Sequence, residues 1–185
     1  MARIAGIAGS LRRQSYNRGL LRAAMEVAPA GTTVEAVPID DIPLYNADLE
    51  QAQGIPAAVE RLKEAIATSD GLLLVTPEYN NGIPGVFKNA IDWATRPASD
   101  IPRIFQGRPV AVIGASPGGF GTILAQNGWL PVLRTLRTRP WVEGRLLVSR
   151  AGSAFDEEGN LIHDEVREQL RDFVAAFAAS LPKAG

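Results

Sequence analysis

The sequence predicts an α/β protein built on a parallel sheet with helices on both faces. Three observations carry that expectation. Apolar runs without polar alternation recur at residues 4–8, 72–75 and 109–113, and the last two read as strands buried on both faces. Each run is followed by a loop rich in glycine and hydroxyl side chains, and then by a helical pattern. Strand and helix patterns alternate five times over 185 residues with no internal repeat, low-complexity tract or linker. The chain is therefore expected to form one domain across 1–185, with right-handed crossovers. Strand order 2-1-3-4-5 would bring the loops after strands one, three and four together at the carboxyl edge, where open α/β sheets bind ligands.

The elements follow in order. After the strand at 4–8, Leu20, Leu21, Ala24, Met25 and Ala28 repeat at helical spacing, which predicts a helix with these residues on its inner face. Residues 32–37 alternate polar and apolar and read as a strand at or near a sheet edge. Residues 38–56 hold too many turn formers for a regular element and read as a long loop. Val59, Leu62 and Ile66 mark the next helix, which ends near Ser69-Asp70-Gly71. Beyond the strand at 72–75, Phe87, Ala90, Ile91 and Ala94 form another inner face. Residues 122–137 are helical in pattern, and Gly128 and Pro131 predict a kink or break there. Residues 142–148 supply the last strand. Val166, Leu170, Phe173, Val174, Phe177 and Leu181 mark the C-terminal helix.

Composition narrows the function. Hydrophobic residues make up 46% and charged residues 21% of the chain, as in a soluble globular domain. A net charge of −1 offers no broad basic field for nucleic acid. With no cysteine and one histidine, disulfides and thiolate sites are excluded and a metal is not expected. No apolar run is long enough to span a membrane, and no signal-peptide core is seen, so a cytoplasmic location is the default expectation.

The first loop, Gly9-Ser10-Leu11-Arg12-Arg13-Gln14-Ser15-Tyr16-Asn17, lies between a strand and a helix. Backbone N–H groups and the positive helix end would face a ligand above the sheet. Ser10, Ser15, Tyr16, Asn17 and Arg12 or Arg13 add donors that suit a phosphate. The plain alternative is an ordinary N-cap at Ser15 or Asn17. Neither the dinucleotide fingerprint nor a P-loop occurs. In the second loop, Pro77-Glu78-Tyr79-Asn80 sets stiff backbone, a ring and an amide at the edge, as a flat heteroaromatic ligand requires. Ser116, Gly118 and Gly119 would let backbone approach the other side of such a ring. A rival reading takes Gly114-Ala115-Ser116-Pro117-Gly118 as a nucleophile elbow with Asp156 and His163 following. Pro117 has no N–H for the oxyanion, and His163 lies in a polar stretch.

The first loop, Thr76-Pro77-Glu78-Tyr79-Asn80, and Pro84-Gly85 with Lys88-Asn89-Ala90-Ile91-Asp92-Trp93 together resemble the NADPH-dependent FMN reductase family, in its bacterial quinone and chromate reductase branch. The resemblance implies a flavodoxin-like three-layer sandwich holding FMN. Ser10, Arg12, Ser15 and Asn17 would bind its phosphate, with Tyr16 beside the phosphate or ribityl chain. Pro77, Glu78, Tyr79 and Asn80 would line the isoalloxazine, and Ser116, Gly118 and Gly119 its pyrimidine side. NADPH or NADH would supply electrons to a small acceptor such as a quinone, chromate, an azo dye, a ferric chelate or free flavin. The subunits would pair as a homodimer or assemble as a homotetramer. Two segments depart from the pattern. Asn127-Gly128-Trp129-Leu130-Pro131 replaces a tyrosine-histidine-leucine-arginine segment, and Asn81-Gly82 a tyrosine-serine pair. A different class of function on the same fold is an FMN-binding electron carrier without NAD(P)H turnover, although such carriers tend to be strongly acidic.

Overall fold

The computed structural model describes residues 1–182. Parallel strands β1 (Ala2–Ala8), β2 (Thr32–Ala36), β3 (Gly71–Val75) and β4 (Pro109–Ala115) form the sheet with two short strands, β5 (Arg139–Pro140) and β6 (Leu147–Val148). The order is β2-β1-β3-β4-β5, with β6 also paired to β4. This is the order expected from the sequence. The fifth position, expected as one strand over 142–148, is divided. β5 pairs with β4 at Pro109 and Val110 and β6 pairs at Gly114 and Ala115, so the chain between them bulges off the edge.

Alternation along the strands divides the core. Leu73 and Val75 of β3 pack with Leu20, Leu21, Phe173 and Phe177 from α1 (Tyr16–Glu26) and α7 (Asp164–Ser180). Leu72 and Leu74 point the other way, against Leu62, Ile66, Phe87, Ile91 and Trp129. Those residues come from α3 (Ala57–Ala67), α4 (Gly85–Ala94) and α6 (Ile123–Thr135), with the short α5 (Ile101–Ile104) beside them. Helices on both faces thus enclose a doubly covered sheet.

Three expectations need correction. Met25 is 42% exposed, and Val27 takes the inner position at the end of α1. The segment 38–56 contains a helix, α2 (Ala47–Gln53), with Asn46 as its N-cap and no buried residue. Of the kink or break expected near Pro131 the break does not occur, and α6 continues through it. Proline deprives one carbonyl of its helical partner, and both Pro131 and Asn127, four residues earlier, face solvent. Water can satisfy the freed group, so the helix continues.

The covering segment before α2 is tied down by the α4 motif. Asn89 Nδ2 and Trp93 Nε1 each donate to the Pro43 carbonyl at 2.8 Å, and Tyr45 N donates to Asn89 Oδ1 at 2.8 Å. On the same side of the molecule, Lys63 is buried, its ammonium 2.9 Å from Glu60 and 2.8 Å from Asp100. Burial pushes that ammonium pKa down, and the hydrogen bonds to Asp100 and Glu60 more than reverse it, so it stands above its ordinary value. The Lys63 hydrogen bond in turn holds the Asp100 carboxyl below its ordinary 3.8. A depressed carboxyl contributes stability above its unfolded pKa and loses it as pH falls through the folded value. Acid unfolding of the wild type is therefore expected to steepen below about pH 4. Asp100→Asn should be less stable at pH 7 and show a shallower acid decline in urea titrations across pH 2–6. A parallel decline in both proteins would remove the pair from the acid response.

Candidate functional site

The parallel register sets Ala8 beside Val75, and Val75 beside Ile113. The loops that leave these strands consequently open at one edge. They surround a cleft of about 320 Å³. Ser10, Arg12, Ser15, Tyr16 and Asn17 form one wall, Pro77, Glu78 and Tyr79 a second, and Ala115, Ser116 and Pro117 a third. Asn80, Gly118 and Gly119 lie outside those walls, on exposed loop tips.

The first loop is shaped by α1. Ser15 is its N-cap, with Oγ accepting from the N–H groups of Asn17 at 3.2 Å and Arg18 at 3.4 Å. The capping alternative is thus realised, and the Ser15 hydroxyl proton is still available to a ligand. No acidic residue stands in the first turn of α1, so its positive end is not neutralised. Arg18, which sequence reasoning did not single out, donates from Nε to the Ser10 carbonyl at 2.9 Å and pairs with Asp40. It pins the loop from below. Arg12 is exposed, with its guanidinium carbon 5.1 Å from the centre of the Tyr16 ring. Gly9 cannot carry a side chain, because a Cβ there would lie 2.1 Å from the Phe87 ring.

Asn17 plays a different part from the one expected. Its Nδ2 donates to the Ala115 carbonyl at 2.8 Å, and its Oδ1 accepts from the Ala115 N–H at 2.9 Å. Both residues are buried. This reciprocal pair fastens the start of α1 to the end of β4, and so fixes the distance between the first and third walls.

The second wall is also fastened. Glu78 Oε2 accepts from the N–H groups of Leu124 at 2.8 Å and Ala125 at 3.0 Å. Thr122, the N-cap residue of α6, makes no side-chain cap, so Glu78 caps that helix from another loop. Tyr79 and Gly82 exchange two backbone bonds of 3.1 Å, and Asn80 and Asn81 between them have φ of 50° and 61°. Two successive left-handed residues make a type I′ turn, which asparagine tolerates. The turn presents Tyr79, whose hydroxyl lies 3.5 Å from Ser10 Oγ.

In the third wall the Ser116 hydroxyl donates to the Gly121 carbonyl. Its proton is spent on its own loop. His163 is exposed at the N-cap of α7, and Asp156 accepts from Asn160 N at 2.7 Å within a turn. These positions do not assemble a nucleophile, base and orienting acid. Gly114 stands where a Cβ would lie 2.1 Å from the Thr76 carbonyl and 2.2 Å from Thr122 Oγ1. The second and third loops meet over it. A fourth loop, after β6, also reaches this edge. Ala151 N donates to the Ser116 carbonyl at 3.0 Å and Arg150 N to that of Gly118 at 2.9 Å. The divided fifth strand concealed this loop from sequence reasoning.

The comparisons agree with the geometry. Residues 2–152 match the family described as NADPH-dependent FMN reductase. The chain is 44% identical over 174 residues to an NAD(P)H-dependent FMN reductase of Pseudomonas aeruginosa, covering 94% of this chain and 92% of that protein. It is 40% identical over 176 residues to a quinone reductase of Pseudomonas putida, covering 95% and 92%. Among solved structures it is similar to FerB, a flavoenzyme NAD(P)H:(acceptor) oxidoreductase from Paracoccus denitrificans. The TM-score is 0.84 and the identity 36%, covering 97% of this chain and 96% of that one. The cleft with its uncompensated helix end thus sits on a flavodoxin-like sheet whose sequence matches one group throughout the site-bearing region, and the chain belongs to the NADPH-dependent FMN reductase family.

Proposed function

We propose that this protein, read as a single domain, is an FMN-dependent NAD(P)H oxidoreductase acting on a quinone or similar small acceptor. The observation that carries the reading is the cleft shared by the first three loops. Its donor set suits a phosphate ester: the positive end of α1, capped by Ser15 but with no acid in its first turn, the hydroxyls of Ser10 and Ser15, and the Arg12 guanidinium, which has no acid partner among the described residues. Tyr16 would flank the phosphate or ribityl chain. Pro77, Glu78, Tyr79 and Asn80 would line the isoalloxazine, with Ser116, Gly118 and Gly119 on its pyrimidine side. Asn17 would act on the site through Ala115. Bound there, FMN supplies two-electron transfer between a nicotinamide and an acceptor.

The chain's own part is binding and orientation. Glu78 accepts from two N–H groups at the start of α6, whose partial positive charge offsets part of the carboxylate's and lowers the repulsion an anionic ligand would meet at this wall. Gly118 and Gly119 have open space where a Cβ would stand, apart from Ser116 Oγ at 3.7 Å from the Gly118 position, so a ring edge can approach the backbone. Tyr79 is 52% exposed at the mouth, available to pack on a flat ligand. The quinone reductase relative supports a quinone as acceptor. Leu130 is exposed on one face of α6 with Asn127, Pro131 and Arg134, which supports pairing of subunits through that face. No described helix is long and apolar enough to cross a membrane, which is in keeping with a cytoplasmic site of action.

The test is the visible spectrum of the purified protein, before and after NADPH is added without oxygen. A flavin spectrum that bleaches and is restored by a quinone is the expected result. A flavin spectrum that NADPH leaves unchanged would indicate a carrier. Protein that is colourless and takes up no added FMN would overturn both.

A further inference from the structure

Four non-glycine residues among those described have a left-handed backbone: Asn80, Asn81, Arg137 and Arg150. Three have local explanations. Asn80 and Asn81 form the I′ turn, and Arg137 closes α6, with Thr138 N donating back to the Leu133 carbonyl at 3.1 Å. Arg150, at φ 48° and ψ 44°, stands just before the 3-10 turn Ala151–Ser153 and has neither an asparagine side chain nor a helix C-terminus, where left-handed residues are common, to account for it. An arginine there is held by its surroundings: its N–H donates to Gly118, and its carbonyl accepts from Ser153 N and Oγ, each at 3.0 Å. Backbone strain of this kind concentrates at ligand sites.

The side chain is as unusual as the backbone. Arg150 is exposed and has no acid partner or hydrogen bond among the described residues. It belongs to the fourth loop of the carboxyl edge, whose next turn passes under Tyr16: a Cβ on Gly152 would lie 3.8 Å from the Tyr16 hydroxyl. Yet Arg150 does not line the cleft. Its N–H bond to Gly118 sets it beside the third loop, at an edge where Arg12 is the cation lining the cleft and Glu78 is already engaged. We infer that Arg150 is a dinucleotide-binding residue, its guanidinium receiving a phosphate of NAD(P)H at the outer rim of the cleft. The inner phosphate position is served by the first loop. A second phosphate held outside it belongs to the molecule that enters after FMN.

This inference rests on the proposed flavin site, and its test reads a separate quantity. Arg150→Ala removes the guanidinium, and Arg150→Gly removes it while suiting the left-handed backbone. The FMN-loaded variants would be titrated with NADP⁺ and NAD⁺ by calorimetry, which reads binding without turnover, and assayed for KM. Loss of a charge-assisted arginine–phosphate contact should raise the NADP⁺ Kd and the NADPH KM by about ten-fold or more. Arg150→Lys should recover part of the loss, and FMN retention should not move. A larger loss for NADP⁺ than for NAD⁺ identifies the 2′-phosphate, and an equal loss the pyrophosphate. Unchanged dinucleotide affinity in both variants, or weakened FMN binding in its place, would overturn the inference. The flavin site itself stands or falls on FMN retention when Arg12 is changed.

Discussion

Asn17→Leu is expected to destabilise the protein more than any other single change at the cleft that leaves the backbone unstrained. Leucine is close in size but makes neither bond to Ala115. The N–H and carbonyl of Ala115, which is 2% exposed, would lose their partner, and a buried polar group left unpaired costs about 1–3 kcal/mol. Together the two should cost about 2–5 kcal/mol. For a chain of this length that lowers Tm by roughly 5–15 °C. Asn17→Asp is the informative control. It keeps an acceptor for the Ala115 N–H but turns a second oxygen toward the Ala115 carbonyl, so it should also destabilise. Urea unfolding with unchanged m-values would measure both. A loss within 1 kcal/mol for Asn17→Leu would show that water replaces the side chain, and that the walls are not fastened here.

Asn17 also shows where sequence reasoning stops. The loop and its place at the strand edge were legible because residues 4–8 of β1, and β3 and β4 throughout, are apolar runs and their order follows from crossover rules. The partner of Asn17 lies 98 residues away, and no local pattern announces such a bond. Glu78 is a similar case: a carboxylate in a candidate ring-binding turn is also the cap of α6, whose own N-cap residue supplies none. α2 was missed for a different reason. It buries nothing, so it has no hydrophobic period, and only its end signals could have revealed it: Asn46 at the start and Gly54, with φ 77°, at the end. The fifth strand is too short in each half to show alternation. Most residues that face the core were readable. Residues whose role is to fasten one loop to another were not.

Arg12→Ala is expected to give the largest change in cofactor affinity. The guanidinium lies on the Tyr16 ring at the edge of the cleft, exposed and unpaired with any acid among the described residues. Its cost to the ligand-free fold should be small, since an exposed cation–π contact contributes about 0.5–1 kcal/mol. With FMN the loss is larger, because a charged hydrogen bond to phosphate contributes about 1.5–3 kcal/mol, or about 10- to 100-fold in Kd. Thermal shift separates the two effects. At a free FMN concentration 100 times the wild-type Kd, binding stabilises the wild type by about 2.7 kcal/mol. A ten-fold weaker variant gains about half of that at the same concentration. Tm without FMN should therefore nearly coincide for the two proteins, and Tm with FMN should diverge. Raising the ionic strength should narrow the divergence, as exposed charges are screened. Arg12→Lys should fall between them, keeping the charge but losing the planar fork. Equal FMN-induced shifts in wild type and Arg12→Ala would place the phosphate elsewhere, and the first loop would then be a capped turn with a solvated arginine beside it.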